Sequence, residues 1–384
     1  VSEAEVGSLP VMTKADLMDN FDDIVTDRRV SRELCEAHLG QGTGPGYLLG
    51  EYSVVASGGS SGQRGVFVYG WDAWAICYAS IVRFQQRDWA RDPSLAAVAR
   101  VTAVVAASSA THLSAAISRT FSAPRSPRQL FPVSQPIQTI VAGLNDLQPT
   151  ILMCYSSFLP HLAAETRAGR LAISPRRVIA ISEPLLPEVR AAAAAAWAAT
   201  VANGYGMSEG LFAGCCPHGI HLPDDLCLIE PVDAAARGSP SQRIYVTNLY
   251  NHTLPLVRFE VTDELTESGA NCPCGSALRR IQDPLGRLDD TFVYRGGLSV
   301  HPHLFRSALG RHPQVIEYQV RQTERGADIQ LVVAAGLDTL TLKQKVEQLL
   351  AAVGLHEPAV TVTLTSSLDR QASGKLRWFV PLPS

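Results

Sequence analysis

Over roughly the first 286 residues, short β-branched runs alternate with helical runs. Val66 to Tyr69, Val101 to Ala106, Ile151 to Met153 and Val178 to Ile181 are apolar stretches of strand length and predict buried strands. Pro187 to Thr200 contains an alanine tract and predicts a helix by propensity. Such alternation implies an α/β body with much parallel sheet. Ile244 to Leu249 predicts a further strand, and Pro255 to Glu260 an extended segment running toward a polar stop at Asp263. From Arg287 the pattern changes. Val315 to Arg321 and Asp328 to Ala334 predict strands joined by a turn at Arg325-Gly326, and Val360 to Leu364 predicts a last strand. Between them, Leu342 to Val353 has helical spacing with Leu342, Val346, Leu349 and Leu350 on one face. The expectation is a large α/β domain over 1–286 and a small α+β domain over 287–384, divided at the polar Gly286-Arg287-Leu288-Asp289-Asp290.

Length supports the division, since 384 residues exceed one ordinary core. Hydrophobic residues make up 46% and charged residues 18%, the profile of a soluble globular protein. A net charge of -3 gives no electrostatic reason to expect nucleic acid as a partner. No apolar run approaches the roughly 20 residues that span a bilayer, so no membrane partner is expected. The opening Val1-Ser2-Glu3-Ala4-Glu5 is acidic and polar, so no signal peptide is expected, and the lack of an initiator Met suggests trimming. A reducing, cytoplasmic location fits best. Eight cysteines in a chain this long do not make a disulfide scaffold, yet five fall between Cys215 and Cys274. That clustering points to metal.

Five segments have chemical character. Ser57-Gly58-Gly59-Ser60-Ser61-Gly62-Gln63-Arg64-Gly65 combines four glycines with hydroxyl donors and precedes a strand. Its backbone can turn N–H groups inward as a nest for phosphate oxygens. It lacks the Gly-Lys-Ser/Thr ending of a Walker loop. Asn203-Gly204-Tyr205-Gly206-Met207-Ser208-Glu209-Gly210 sets a tyrosine between glycines, free to lie against a planar base. Ser208 there can donate to phosphate, and Glu209 is a hard carboxylate of the kind Mg²⁺ prefers. Asp263, at the end of Leu254 to Asp263, can accept both hydroxyls of a ribose, and equally can cap a turn. The fourth segment is Gly286 to Asp290 with Arg295-Gly296-Gly297 after it. The fifth is Ala372-Ser373-Gly374-Lys375-Leu376-Arg377, whose lysine sits on a tight turn.

In that order, the five resemble the motifs of the adenylate-forming superfamily of acyl-CoA synthetases, nonribosomal-peptide adenylation domains and luciferases. The likeness covers nearly the whole chain. Ser57 to Gly62 resembles the family's phosphate loop; Tyr205 to Glu209 its Tyr-Gly-x-Thr-Glu, with serine for threonine; Val257 to Asp263 its Ile-Arg-Tyr-x-Thr-Gly-Asp, with Thr262 for glycine; Gly286 to Asp290 its hinge; and Ser373 to Lys375 its lysine turn. Leu9 to Leu17 and Cys272-Pro273-Cys274-Gly275 resemble the phenylacetate-CoA ligase branch more narrowly.

The resemblance implies ATP-dependent, AMP-forming activation of a small acid, aromatic in this branch, followed by transfer to CoA. It implies that Lys375 bridges carboxylate and α-phosphate, and that Glu209 holds Mg²⁺ with Ser208 beside it. Ser57, Gly59, Ser60, Ser61, Gly62 and Arg64 would hold the outer phosphates, Tyr205 and Gly206 the adenine, and Asp263 with Arg287 the ribose. Asp289 matches the hinge about which the small domain is mobile. The acid pocket would involve Tyr155, Ser156, Ser182 and Glu183, with His112 and Phe212. Gln63-Arg64 stands where Lys-Pro is usual, leaving Arg64 to supply charge. Cys216, His221, Cys272 and Cys274 could form a structural Cys₃His zinc site, with Cys215 and His218 as competing ligands. Other readings keep the adenylation and change the acceptor, to an amine or to nitrite for diazotisation of an aryl amine. A non-catalytic binding module fits less well, because Glu209, Asp263 and Lys375 are all retained. Oligomeric state is left open, a homodimer included, and the alanine- and arginine-rich composition fits secondary metabolism by association only.

Overall fold

The computed structural model describes residues 6–40, 46–57, 64–91, 101–105, 116–117, 120–121, 129–233, 241, 243–269, 271–284, 286–310, 312, 314–334, 336–371 and 374–383. Its centre is a five-stranded, all-parallel sheet. The strands run in the order Gln129–Pro132, Val101–Val105, Ile151–Tyr155, Arg177–Ile181, Thr200–Gly204. Ile151–Tyr155 is buried almost end to end, as expected of a strand covered on both faces. Helix Pro187–Trp197 begins on proline, which its first turn accommodates, and buries Val189, Ala193 and Trp197 at four-residue intervals.

Antiparallel pieces surround this sheet. Cys227–Val232, Arg243–Asn248 and Phe259–Val261 form one meander. Strands Ser53–Ala56 and Val66–Tyr69 form a hairpin, so the glycine–serine loop joins two paired strands. Main-chain and side-chain atoms of Ser57 both bond Gly65, closing its mouth: Ser57 N donates to Gly65 O (2.9 Å) and Gly65 N to Ser57 Oγ (2.8 Å). Helix Trp71–Arg91 follows.

The C-terminal unit is a four-stranded sheet in the order Ala359–Leu364, Gly326–Val333, Val315–Thr323, Phe379–Val380, mixed in direction. Helix Thr339–Ala352 packs on it. Asp338 caps that helix by accepting from Leu340 N (3.1 Å) and Thr341 N (3.0 Å). Leu342, Val346 and Leu350 are buried, whereas Leu349, expected on the same face, is only half-buried. The apolar cores do not follow the chain division. One cluster joins the parallel sheet to the C-terminal unit through residues such as Leu185, Val189, Phe305, Leu376 and Trp378. A second links the N-terminal helices to the hairpin and the meander. Among the described residues, no helix is long and apolar enough to cross a membrane.

Candidate active site

A cavity of about 220 Å³ opens where the C-terminal ends of the parallel strands face the C-terminal unit. Open α/β sheets bind ligands at this end. Its lining includes Ser57, Ser182, Glu183, Asn203, the run from Gly204 to Glu209, Asp263, Arg287 and Lys375. Segments distant in sequence are thus brought to one place.

The run 204–209 leaves the strand Thr200–Gly204 directly. Glycine at 206 is required by packing, because a Cβ there would come within 2.9 Å of the Phe212 ring. Gly210, at φ +97°, turns the chain back where a Cβ would meet Asn248. The two constraints lay Tyr205, Ser208 and Glu209 along the cavity wall. Asp263 follows the short strand Phe259–Val261. Its carboxylate accepts from Tyr205 Oη (2.9 Å) and from Arg287 Nε (2.6 Å). The two residues implied for the ribose and the tyrosine implied for the base are therefore one connected group. Thr262 Oγ1 donates to Asp289 Oδ2 (2.9 Å), tying Asp289 to the same segment.

Electrostatically the cavity is mixed, with Lys14, Arg287, Lys375 and Arg377 facing Glu183, Glu209, Asp263 and Asp290. Burial raises the Glu209 carboxyl, with Lys14 the main opposing influence. Burial pushes Asp290 up to about 6. Burial, with Arg287 nearby, brings Lys375 down to about 8. Buried charged groups with shifted pKa values, gathered in one cavity, suit a functional site.

Several expected residues lie elsewhere. Phe212 is buried in the core against Gly206 and accepts from Ser80 at its carbonyl. Tyr155 and Ser156 lie beneath the cavity wall rather than on it, and Ser156 Oγ donates to the Glu183 carbonyl (3.2 Å). Glu183 does line the cavity, but its carboxylate accepts main-chain N–H groups from Ser157 (2.8 Å) and Leu376 (2.7 Å). Arg64 pairs with Glu36 at 3.6 Å and is not among the lining residues. Gly59, Ser60, Ser61, Gly62, His112 and Ser373 lie outside the described residues. Lys14, Asn203, Asp290 and Arg377 line the cavity without having been expected there. Met12 bridges the 258–260 segment, donating to Arg258 O (3.1 Å) and accepting from Glu260 N (2.8 Å). A capping box of Thr13 and Asp16 then starts a helix whose first residue is Lys14. That capping pattern is visible in sequence; the strand pairing that aims it is not.

A separate closed cluster is carried by the paired strands Gly214–Cys216 and Gly219–His221 and the 272–274 segment. Ligand atoms of Cys216, His221, Cys272 and Cys274 all lie within 4.8 Å of one another, and all four residues are buried. Cys216 Sγ lies 3.3 Å from His221 Nε2 and 3.6 Å from Cys272 Sγ; Cys274 Sγ lies 3.3 Å from His221 Nε2. With Zn–S near 2.3 Å and Zn–N near 2.0 Å, a tetrahedral zinc needs ligand separations of about 3.5–3.8 Å, within a few tenths of an ångström of these three. His221 Nδ1 donates to Leu278 O (3.2 Å), which leaves Nε2 as the bare nitrogen facing the thiols. Cys215 and His218 do not join the cluster.

No protein-family model matches the chain, and no curated protein matches it. Solved structures do. The chain is similar to a 2-hydroxyisobutyryl-CoA ligase in its postadenylation state with 2-HIB-AMP: 18% identity, 98% of this chain and 80% of that one, TM-score 0.70. Against the same ligase with CoA in its thioesterification state, the TM-score is 0.54 at 19% identity, over 97% and 80% of the chains. An anthranilate CoA ligase in complex with anthranoyl-AMP aligns at 14% identity over 84% and 65%, TM-score 0.56. An amide bond synthetase from Marinactinospora thermotolerans aligns at 18% over 84% and 66%, TM-score 0.56. This chain has the fold of these adenylate-forming enzymes, an α/β body with a C-terminal unit, and superposes better on the postadenylation structure than on the thioesterification one.

Proposed function

We propose that this protein is an AMP-forming ligase that activates a small carboxylic acid with ATP and passes the acyl group to a second nucleophile. The observation behind this is the convergence of Lys375, Glu209 and the Tyr205–Asp263–Arg287 group on one cavity. A carboxylate attacking the α-phosphate gathers negative charge from both reactants, so fixed positive charge must already stand there. Lys375 supplies it. Burial lowers its pKa to about 8, and two anionic reactants favour its charged form. Asp263, held by Tyr205 and Arg287, accepts from the ribose hydroxyls, and the Tyr205 ring bears on the adenine. Lys14 balances Glu209.

The donor set suits Mg²⁺: Glu209 is a buried carboxylate whose charged form burial disfavours, and a hard cation beside it relieves that cost. Bound there, Mg²⁺ neutralises phosphate oxygens. Asp289 serves as hinge for a mobile unit over 287–384, and the hydroxyl of Thr262 is its partner. The Cys216, His221, Cys272 and Cys274 set fits a structural zinc, which takes no part in the chemistry. Within the superfamily, the N-terminal segment and the Cys-Pro-Cys element favour the phenylacetate-CoA ligase branch, an aromatic acid and CoA as acceptor.

An amine as acceptor is the second reading, favoured by the amide bond synthetase among the similar structures. AMP release measured with each acid in the presence of CoA, of amines, or of nitrite with an aryl amine separates these acceptors. Stimulation by CoA, with a thioester product, supports the leading reading. Stimulation only by an amine or nitrite moves the assignment, and no AMP under any combination removes it.

A further inference from the structure

Lys375 stands on a turn in which Gly374, at φ +75°, donates to Gln371 O (2.7 Å) while Gln371 N donates to Lys375 O (2.9 Å). Charged side chains grip the main chain on both sides of it. Arg370 Nη1 donates to Gly374 O (3.3 Å), and Glu183 Oε1 accepts from Leu376 N (2.7 Å). Neither grip is confined to the turn. The same Arg370 nitrogen donates to Ser157 Oγ (2.7 Å), and the other oxygen of Glu183 accepts from Ser157 N (2.8 Å). The second nitrogen of Arg370 pairs with Glu317 Oε1, and the other oxygen of Glu317 lies 3.1 Å from His161 Nε2.

Ser157, His161 and Glu183 belong to the parallel-sheet body; Glu317, Arg370 and the turn belong to the C-terminal unit. Ser157 and Glu317 are 0% and 2% exposed. A half-buried guanidinium and two buried carboxylates are stable there while each is matched, and removing one partner strands the rest. These matches exist in one orientation of the unit against the body. Rotation of the unit parts the three that cross between unit and body, Arg370 with Ser157, Glu183 with Leu376 N and Glu317 with His161. Arg370 is absent from the cavity lining, so its contacts concern the turn and not a bound reactant.

We propose that Ser157, His161, Glu183, Glu317 and Arg370 form an interdomain clamp that positions Lys375 for adenylation and opens before the second half-reaction. Arg370 is then a positioning residue. The proposal rests on the adenylating function given above, and one of its tests does not. In Arg370→Met, deuterium uptake across 371–378 rises about tenfold or more, as expected when a buried ionic match is broken. Pyrophosphate exchange falls about 30-fold or more in kcat, KM for ATP stays within about threefold, and transfer from supplied acyl-adenylate is undiminished. Ser157→Ala removes one hydroxyl and no core volume, and moves uptake and exchange in the same directions by about three- to fivefold. Arg370→Lys keeps the charge without the fork and recovers part of the loss. Unchanged uptake in both Arg370→Met and Ser157→Ala, or equal loss of both half-reactions in a folded variant, overturns the clamp. Should the wild-type protein exchange with no acid, the function fails and the deuterium measurement alone decides the clamp.

Discussion

Two buried polar clusters in this molecule are built on opposite terms. Around Cys216 the four ligand atoms face one another, His221 is fixed by Leu278 O and stacked on Phe84, and the Arg87 and Arg280 side chains lie at the edge. Around Lys375 and Glu209 charges of both signs line an open cavity, and burial moves their pKa values toward neutrality. On the function proposed above, a single ion would complete the first cluster, and a ligand with phosphates and a carboxylate would complete the second. Closed sets stabilise folds, and open sets of buried charges with shifted pKa values mark functional sites.

The contrast is broken most directly by exchanging what each cluster loses. Lys375→Ala should lower ATP–pyrophosphate exchange by about a thousandfold, comparable with or above the loss of a key transition-state donor. It should leave the melting temperature at pH 7 unchanged or higher. The sign follows from the lowered pKa: the folded state disfavours the charged lysine at all pH below about 8, a cost that vanishes only above its ordinary value near 10.5. Cys272→Ser should do the reverse. Zinc content falls from one per chain, the melting temperature drops by about 5 °C or more, and exchange per folded molecule changes by less than about threefold. Smaller still, Lys14→Met should cost about tenfold in exchange and raise the Mg²⁺ concentration needed, read by metal titration. Last, kcat/KM for the acid, which reports the free enzyme, should decline above pH about 8 as Lys375 loses its proton. The limb in kcat should lie higher, because bound anions favour the charged lysine.

Local signals in the sequence reached the strands, the Ala-rich helix and the order of the five segments. They did not reach whatever depends on long-range pairing. Lys14 enters the cavity because Met12 bridges the segment next to Asp263. Glu183 lines the cavity, and its direction is set by main-chain N–H groups of Ser157 and Leu376, one of them from the far end of the chain. The choice between Cys215 and Cys216 was open on spacing alone. In the strand Gly214–Cys216, successive side chains face opposite ways, so only Cys216 faces His221. Asp290 was read as part of a hinge motif, and its burial in the cavity needed the C-terminal unit to be in place.

Exchange of labelled pyrophosphate into ATP, run with a panel of aromatic and aliphatic acids on the wild-type protein and Lys375→Ala, tests the central claim most directly. The account predicts exchange with a narrow group of acids, dependent on Mg²⁺, and its near loss in the variant. Full zinc occupancy, a normal melting temperature and no exchange with any acid would contradict it.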